Sequence, residues 1–235
     1  MKALTKILFA LILIAGVNSA FADTQDRHLT GFKGVEVQGS FDVYITQGAN
    51  ESVKVEAPND IIERIKTEVT GGVLKIYNKG NSSDWNFNLF GNHKKVLIYV
   101  VAKDLNAIGV SGSGDVFFKG GITTASLKLR VSGSGDLSGK VQVKELETSV
   151  SGSGDVRLVG SAASSEVHVS GSGDFRGGEL TTVSTAVHVS GSGDASVNAS
   201  TKVDASVSGS GDVHYSGNPK SVSKSKSGSG DINGH

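Results

Sequence analysis

From Gly31 onward, apolar and polar residues alternate with a period of two, the pattern of half-buried strands. Phe32-Lys33-Gly34-Val35-Glu36-Val37-Gln38 sets it and Val53-Lys54-Val55-Glu56 continues it. Gly71-Gly72 then turns the chain into Val73-Leu74-Lys75-Ile76-Tyr77. Further on come Leu127-Lys128-Leu129-Arg130-Val131, Leu146-Glu147-Thr148-Ser149-Val150, Val167-His168-Val169, Val187-His188-Val189 and Val203-Asp204-Ala205-Ser206-Val207. Alternation places their apolar residues on one face and Lys128, Arg130, His168, His188 and Asp204 on the other. A second set of short strands offers Val116 and Phe118, Val156 and Leu158, Ala195 and Val197, and Val213 and Tyr215 to the same interior. Two segments break the pattern. Asp60-x-x-Glu63 ahead of Ile61, Ile62 and Ile65 predicts a two-turn helix with a capping box. Residues 79–95 are loop-like and hold the only Trp.

Between the strands stands Ser-Gly-Ser-Gly-Asp, seven times without variation: 111–115, 132–136, 151–155, 170–174, 190–194, 208–212 and 227–231. The steps between starts are 21, 19, 19, 20, 18 and 19 residues. A degenerate copy runs Gly39-Ser40-Phe41-Asp42, with Phe41 where later copies have Gly. A fixed period near 19 with two short strands per period predicts an all-β right-handed parallel β-helix, a solenoid of about 19 residues per turn with one short helix near its N-terminal end. Each turn is expected to stack on the last at about 4.8 Å. A β-sandwich is disfavoured, because its strands do not carry one identical pentapeptide at one phase. Residues 1–22 read as a signal peptide. Lys2 and Lys6 precede 11 apolar residues, Ile7 to Val17, and Ala20-Phe21-Ala22 forms a cleavage pattern. Residues 23–235 then form one β-helix domain, with degenerate turns and the aromatic loop over 31–110 and seven perfect turns over 111–235.

Carried through the motif, the alternation turns both glycines inward and Ser, Ser and Asp outward. Glycine there serves a sharp corner or a close backbone approach, at roughly 0.5–1 kcal/mol per residue relative to Ala. The outward carboxylates of Asp42, Asp115, Asp136, Asp155, Asp174, Asp194, Asp212 and Asp231 form a ladder. Neighbours about 5 Å apart in water repel by roughly 0.8 kcal/mol. Backbone N–H groups in the turn would compensate them, or weakly bound Ca2+ would. The calcium-binding β-roll nonapeptide does not match, since it adds a residue before Asp and has half the period.

Charge and chemistry narrow the role. The chain has 23 basic and 23 acidic residues, and loss of Lys2 and Lys6 leaves 21 against 23, a net −2. That excludes nucleic-acid or anionic-membrane binding driven by bulk charge. No later apolar run is long enough for a transmembrane helix, and the absence of Cys removes disulfides, thiolate sites and lipid acylation. His168 and His188, one period apart, are expected to stack on the outer face without a third metal ligand at their phase. The acids outside the motif, among them Glu145 and Glu166, show no clustering in the sequence, which weakens a catalytic carboxylate pair. The pentapeptide lacks the context of a phosphate loop or a nucleophile elbow. No cofactor is expected beyond weak Ca2+. Lys224 and Lys226, at phases held by apolar residues in earlier turns, are expected to stop further stacking at the C-terminal end.

The run from Val35 to Gln47, the segment from Pro58 to Tyr77 and the repeated Val-Ser-Gly-Ser-Gly-Asp together resemble the putative auto-transporter adhesin head GIN domain family. The resemblance covers about residues 31–235. It implies a right-handed parallel β-helix of exported bacterial proteins, largely of unknown function. The chain carries no C-terminal barrel translocator and no cysteine for lipid anchoring, so self-export and lipidation are not expected. The reading is a non-enzymatic, adhesin-like binding or structural module of the bacterial cell envelope, periplasmic, secreted or at the surface. Its partner would be an envelope or host glycan or protein, and its oligomeric state is not fixed by the sequence. Trp85, Phe87 and Phe90 are the candidate contacts. The alternatives are a polysaccharide-acting envelope enzyme on a β-helix scaffold and a Ca2+-stabilised scaffold.

Overall fold

The computed structural model describes residues 22–80 and 95–235. Their strands are Ala22–Asp26 (β1), Gly34–Gly39 (β2), Asp42–Gln47 (β3), Ser52–Pro58 (β4), Ile65–Thr70 (β5), Val73–Asn78 (β6), Leu97–Ala102 (β7), Ala107–Gly112 (β8), Val116–Lys119 (β9), Ile122–Gly133 (β10), Leu137–Gly152 (β11), Val156–Gly171 (β12), Phe175–Gly191 (β13), Ala195–Gly209 (β14), Val213–Ser216 (β15), Ser221–Gly228 (β16) and Ile232–Gly234 (β17). From β10 to β14 each long strand lies parallel to the next. Val131 faces Val150, Val150 faces Val169, Val169 faces Val189 and Val189 faces Val207. The result is an all-β solenoid of about 7 turns with ~19 residues per turn.

Stacking in register turns sequence periodicity into columns. Val37, Val110, Val131, Val150, Val169, Val189 and Val207 form one continuous inner column, and none is more than 2% exposed. Branched side chains suit this pleated, crowded surface. Burying each is worth about 1.5–3 kcal/mol, and every turn buries several, which outweighs the roughly 1–2 kcal/mol given up by its two motif glycines. Departures from the mean period are absorbed away from the motif. The 20-residue step leaves a register shift between Arg157 and Val159, where β12 meets β13.

The corner is where backbones touch. A Cβ on Gly154 would lie 3.0 Å from the carbonyl carbon of Gly135 in the preceding turn, closer to its oxygen, and 3.0 Å from a Val131 methyl. Phe41 stands at the glycine position of the degenerate copy. These glycine Cβ positions point toward the neighbour on the N-terminal side, so Phe41 is the residue that the Gly114 position faces. Its ring is buried in the core at 2% exposure.

Two expectations are corrected. The first turns do not stack in chain order. β2 lies between β6 and β8, and β3 between β7 and β9. The degenerate copy therefore sits directly on the first perfect one, Gly39 opposite Gly112, while β6 and β7 lie on its other side. The antiparallel pairs β1–β4, β4–β7 and β5–β6 finish this end. The two-turn capped helix is also absent. What stands is one turn, Asn59–Ile62 (α1), with Pro58 at the cap position and no side-chain capping bond. So short a segment cannot propagate as a helix, and the chain returns to strand at Ile65.

At the C-terminal end Lys224 is in register with Ala205 and Lys226 with Val207. Lys224 Nζ donates to the Ile232 carbonyl at 2.9 Å and lies 4.8 Å from the Tyr215 ring centre. Lys226 Nζ meets Asp231 Oδ1 at 2.6 Å. The two cations thus stand where the next turn would lay apolar residues.

Replacing Gly154 by Ala is expected to lower stability by about 1–3 kcal/mol, whereas Gly178→Ala, with open space around it, stays within about 0.5 kcal/mol of wild type. Thermal unfolding followed by circular dichroism compares the two. The double change Lys224→Val with Lys226→Val is expected to give concentration-dependent self-association in sedimentation velocity, because it leaves an apolar parallel edge open.

Candidate functional site

The Asp ladder is held by backbone. Asp115 Oδ1 accepts the Asp136 N–H at 2.9 Å, and the same bond links Asp136 to Asp155, Asp155 to Asp174, Asp174 to Asp194, Asp194 to Asp212 and Asp212 to Asp231, at 2.7 to 2.9 Å. The donor belongs to the next turn, not to the aspartate's own. A hydrogen bond to a charged acceptor contributes about 1.5–3 kcal/mol, more than the roughly 0.8 kcal/mol of repulsion between neighbours. Asp42 stands apart. Its Oδ2 faces Lys95 Nζ at 3.4 Å. Arg176 spans two turns, reaching Asp155 Oδ2 at 2.9 Å and Asp174 Oδ2 at 3.2 Å. The hydrogen bond to Asp174, then the charge of Asp155, holds its guanidinium pKa above the usual arginine value. At the end of the ladder, the hydrogen bond from Lys226 lowers the Asp231 pKa. That contribution to stability is present above the ordinary carboxylate pKa and is lost as pH falls through the lowered folded value.

Beside the ladder, two positions after each Asp from Asp42 to Asp212, runs an outward column. It reads Tyr99, Tyr44, Phe117, Ser138, Arg157, Arg176, Ser196, His214. Its first three members stack. Tyr44 and Tyr99 have ring centres 5.5 Å apart, Tyr44 and Phe117 5.2 Å, with 20° between planes in both pairs. Tyr99 is 37% exposed, and partial burial, then the Glu56 carboxylate, raises its phenol pKa. Lys119 Nζ lies 4.9 Å from the Tyr44 ring centre. Phe117 turns its other face toward Ser138, a side chain too small to cover a ring, and Arg157 follows one turn on. The column offers an aromatic face, ring edges, phenols and cations in a row, groups suited to stacking on and hydrogen-bonding a ring-containing ligand.

Trp85, Phe87 and Phe90 lie outside the described residues. His168 and His188 stack as expected, ring centres 5.0 Å apart, with His168 Nε2 3.0 Å from Glu166 Oε1. Among the described residues no three His, Asp or Glu side chains are grouped to hold a metal ion. The acids that look scattered in the sequence do converge. Glu145, Glu147, Glu166 and Asp204 all line one groove of 460 Å³. The signal for the aromatic column lay in the phase shared by Tyr44 and Phe117. Tyr99 joins it only through the exchanged order of the first turns.

These features define an outward-decorated β-solenoid, a repeat scaffold that presents columns of side chains. The family described as "Putative auto-transporter adhesin, head GIN domain" matches residues 31–219, and the chain belongs to it. The fold is similar to that of a putative adhesin from Bacteroides fragilis, with a TM-score of 0.85 and 28% identity over 92% of this chain and 98% of that one. It also resembles a putative lipid binding protein from Parabacteroides distasonis, at a TM-score of 0.73 and 26% identity over 92% and 98%. A putative adhesin from the same species, at 0.73 and 21% identity over 92% and 98%, shares the fold. No curated protein matches the sequence. Neither the family nor these neighbours carry an enzyme's name. No helix among the described residues is long and apolar enough to cross a membrane.

Replacing Asp155 by Ala leaves the Asp174 N–H without its acceptor and Arg176 with Asp174 as its one carboxylate partner. The expected loss is about 1–3 kcal/mol. Asp155→Asn keeps an amide oxygen in place and should lose less than half as much. Urea unfolding midpoints rank the three proteins.

Proposed function

We propose that the chain is a non-enzymatic, adhesin-like binding module of the bacterial envelope, exported by its first 22 residues and acting in the periplasm, in the medium or at the surface. The observation that carries this reading is the half-buried aromatic stack of Tyr99, Tyr44 and Phe117, exposed at Tyr99 and continued beyond Ser138 by Arg157 and Arg176. Aromatic side chains stacked in a row on the outer face are unusual on a surface that serves only solubility, and Tyr and Arg are the residues on which binding energy concentrates. The partner is an envelope or host glycan or protein, met along the side of the rod. Trp85, Phe87 and Phe90 remain candidates for a second contact. Every Asp from Asp115 to Asp212 accepts a backbone N–H, which supports a scaffold role for the ladder.

A glycan and envelope-protein array probed with the mature chain tests the reading. Tyr44→Ala removes both ring stacks and is expected to weaken the captured signal about tenfold, the equivalent of about 1.4 kcal/mol, with far-UV dichroism unchanged. An array that captures nothing, or one on which Tyr44→Ala and Trp85→Ala both bind like wild type, counts against it. A calcium titration of the thermal midpoint, expected flat, accompanies the array.

A further inference from the structure

The aromatic column stops one level short of its cations. Ring follows ring at 5.5 and 5.2 Å from Tyr99 to Phe117, close to the rise of about 4.8 Å between turns. The next level is Ser138, in register with Phe117, and the level after that is Arg157, in register with Ser138. Arg157 is drawn the other way. Its guanidinium reaches Glu179 at 3.2 Å, and Glu179 belongs to β13, the strand beyond. Phe117, itself half-buried, therefore keeps one ring face on Tyr44 and turns the other toward a level that carries only a serine hydroxymethyl. Phe117 and Arg157 are two rises apart, about 9.6 Å, which leaves a slot the thickness of one ring with contact on both sides. The Arg157 wall is 62% exposed, so the slot opens outward. On the flank away from the Asp ladder stand Lys119 and Lys140, both exposed.

We propose that the slot over Ser138 receives one aromatic side chain, tryptophan or tyrosine, from an acidic segment of a protein partner. The proposal rests on the adhesin-like reading of this column and names the kind of partner that fits it. A ring at this level lies about 5 Å from Phe117, within the range of stacked aromatic pairs. The Arg157 guanidinium, swung back over the outer face of that ring, comes within about 6 Å for a cation–π contact. Its exposed pair with Glu179 contributes little and does not oppose the swing. An aromatic ring uses both walls, whereas a pyranose has no π face to offer the cation. A slot open on its outer side suits a ring carried on a partner's backbone, and such aromatic anchors are where interface energy concentrates. The strands on either side are already paired, so the partner adds no strand and binds through side chains. Acidic character follows from Lys119 and Lys140, because the carboxylates on the other flank, Asp115 and Asp136, already accept backbone N–H groups.

Biolayer interferometry of the mature chain on immobilised peptides tests it. The probes are Glu-Gly-Trp-Gly-Glu, the same peptide with Leu for Trp, and the same with Lys for both Glu, with a soluble neutral β-glucan as competitor. Wild type is expected to bind the first. The Leu change should weaken binding about tenfold and the Lys change about fivefold. Arg157→Ala, at an exposed position, should weaken binding of the Trp peptide about fivefold. Ser138→Tyr places the chain's own ring in the slot. It should abolish binding and raise the thermal midpoint by about 2–4 °C, the gain of one added stacked pair. No binding of any peptide, equal binding of the Trp and Leu or of the Glu and Lys peptides, displacement by the glucan, or unaltered binding by Arg157→Ala or Ser138→Tyr overturns the proposal. A lowered midpoint for Ser138→Tyr overturns it as well, since that level then has no room for a ring. Glycan capture that is lost with Tyr44→Ala but kept by Ser138→Tyr overturns it while sustaining the adhesin-like reading.

Discussion

At the Ser-Gly-Ser-Gly-Asp corner each turn's backbone approaches the last so closely that a Cβ on the second glycine would strike the carbonyl beneath it. Everything else in the rod follows from that approach. The carbonyl of Gly112 accepts both the Ser134 N–H at 2.8 Å and the Gly135 N–H at 3.0 Å, and later turns repeat the pair. The Asp carboxylate takes the next turn's Asp N–H, while Val116 N–H donates to the Asp136 carbonyl at 2.8 Å. A sharp corner would otherwise leave buried backbone donors without partners. Here glycine supplies the space and aspartate the acceptor, which is why these residues recur together.

With the corner fixed, the phase of every other residue is fixed too. The inner columns hold valines because each is sandwiched between turns, and the outer columns are free to vary. Variation is therefore where specific chemistry accumulates. One column collects Tyr99, Tyr44 and Phe117; a groove on another side collects carboxylates, lysines and hydroxyls. A solenoid contacts only its neighbouring turns, so such features can change turn by turn without disturbing the core. The ends are finished by different means. Antiparallel pairing of β1, β4 and β5 closes one, and Lys224 and Lys226 cross the other.

Much of this was legible in residue order. Alternation placed Leu127, Leu129, Val131 and their counterparts inside, and the Ser and Asp of the motif outside, because side-chain direction in a strand is a local, period-two property. The stacking of His168 on His188 followed from one period of separation. The two-turn helix expected from Asp60-x-x-Glu63 failed because a capping pattern is a weak local preference. Pro58 took the cap, and the strands on either side left room for four helical residues.

The sequence by itself determined the solenoid, its period, the inward glycines and the lysine-capped end, since each is written in the local phase of the chain. Only the tertiary structure decided which turn lies beside which at the N-terminal end. β2 pairs with β8 across 73 residues of chain, Gly34 with Ala107, and no periodic signal encodes a choice between two equally apolar sheet edges. That choice puts Tyr99 on Tyr44. Glu145 and Glu166 likewise meet along one groove because successive turns bring together positions that the variable segments hold about a period apart. Local alternation fixes which way a side chain points. Long-range pairing fixes what it meets.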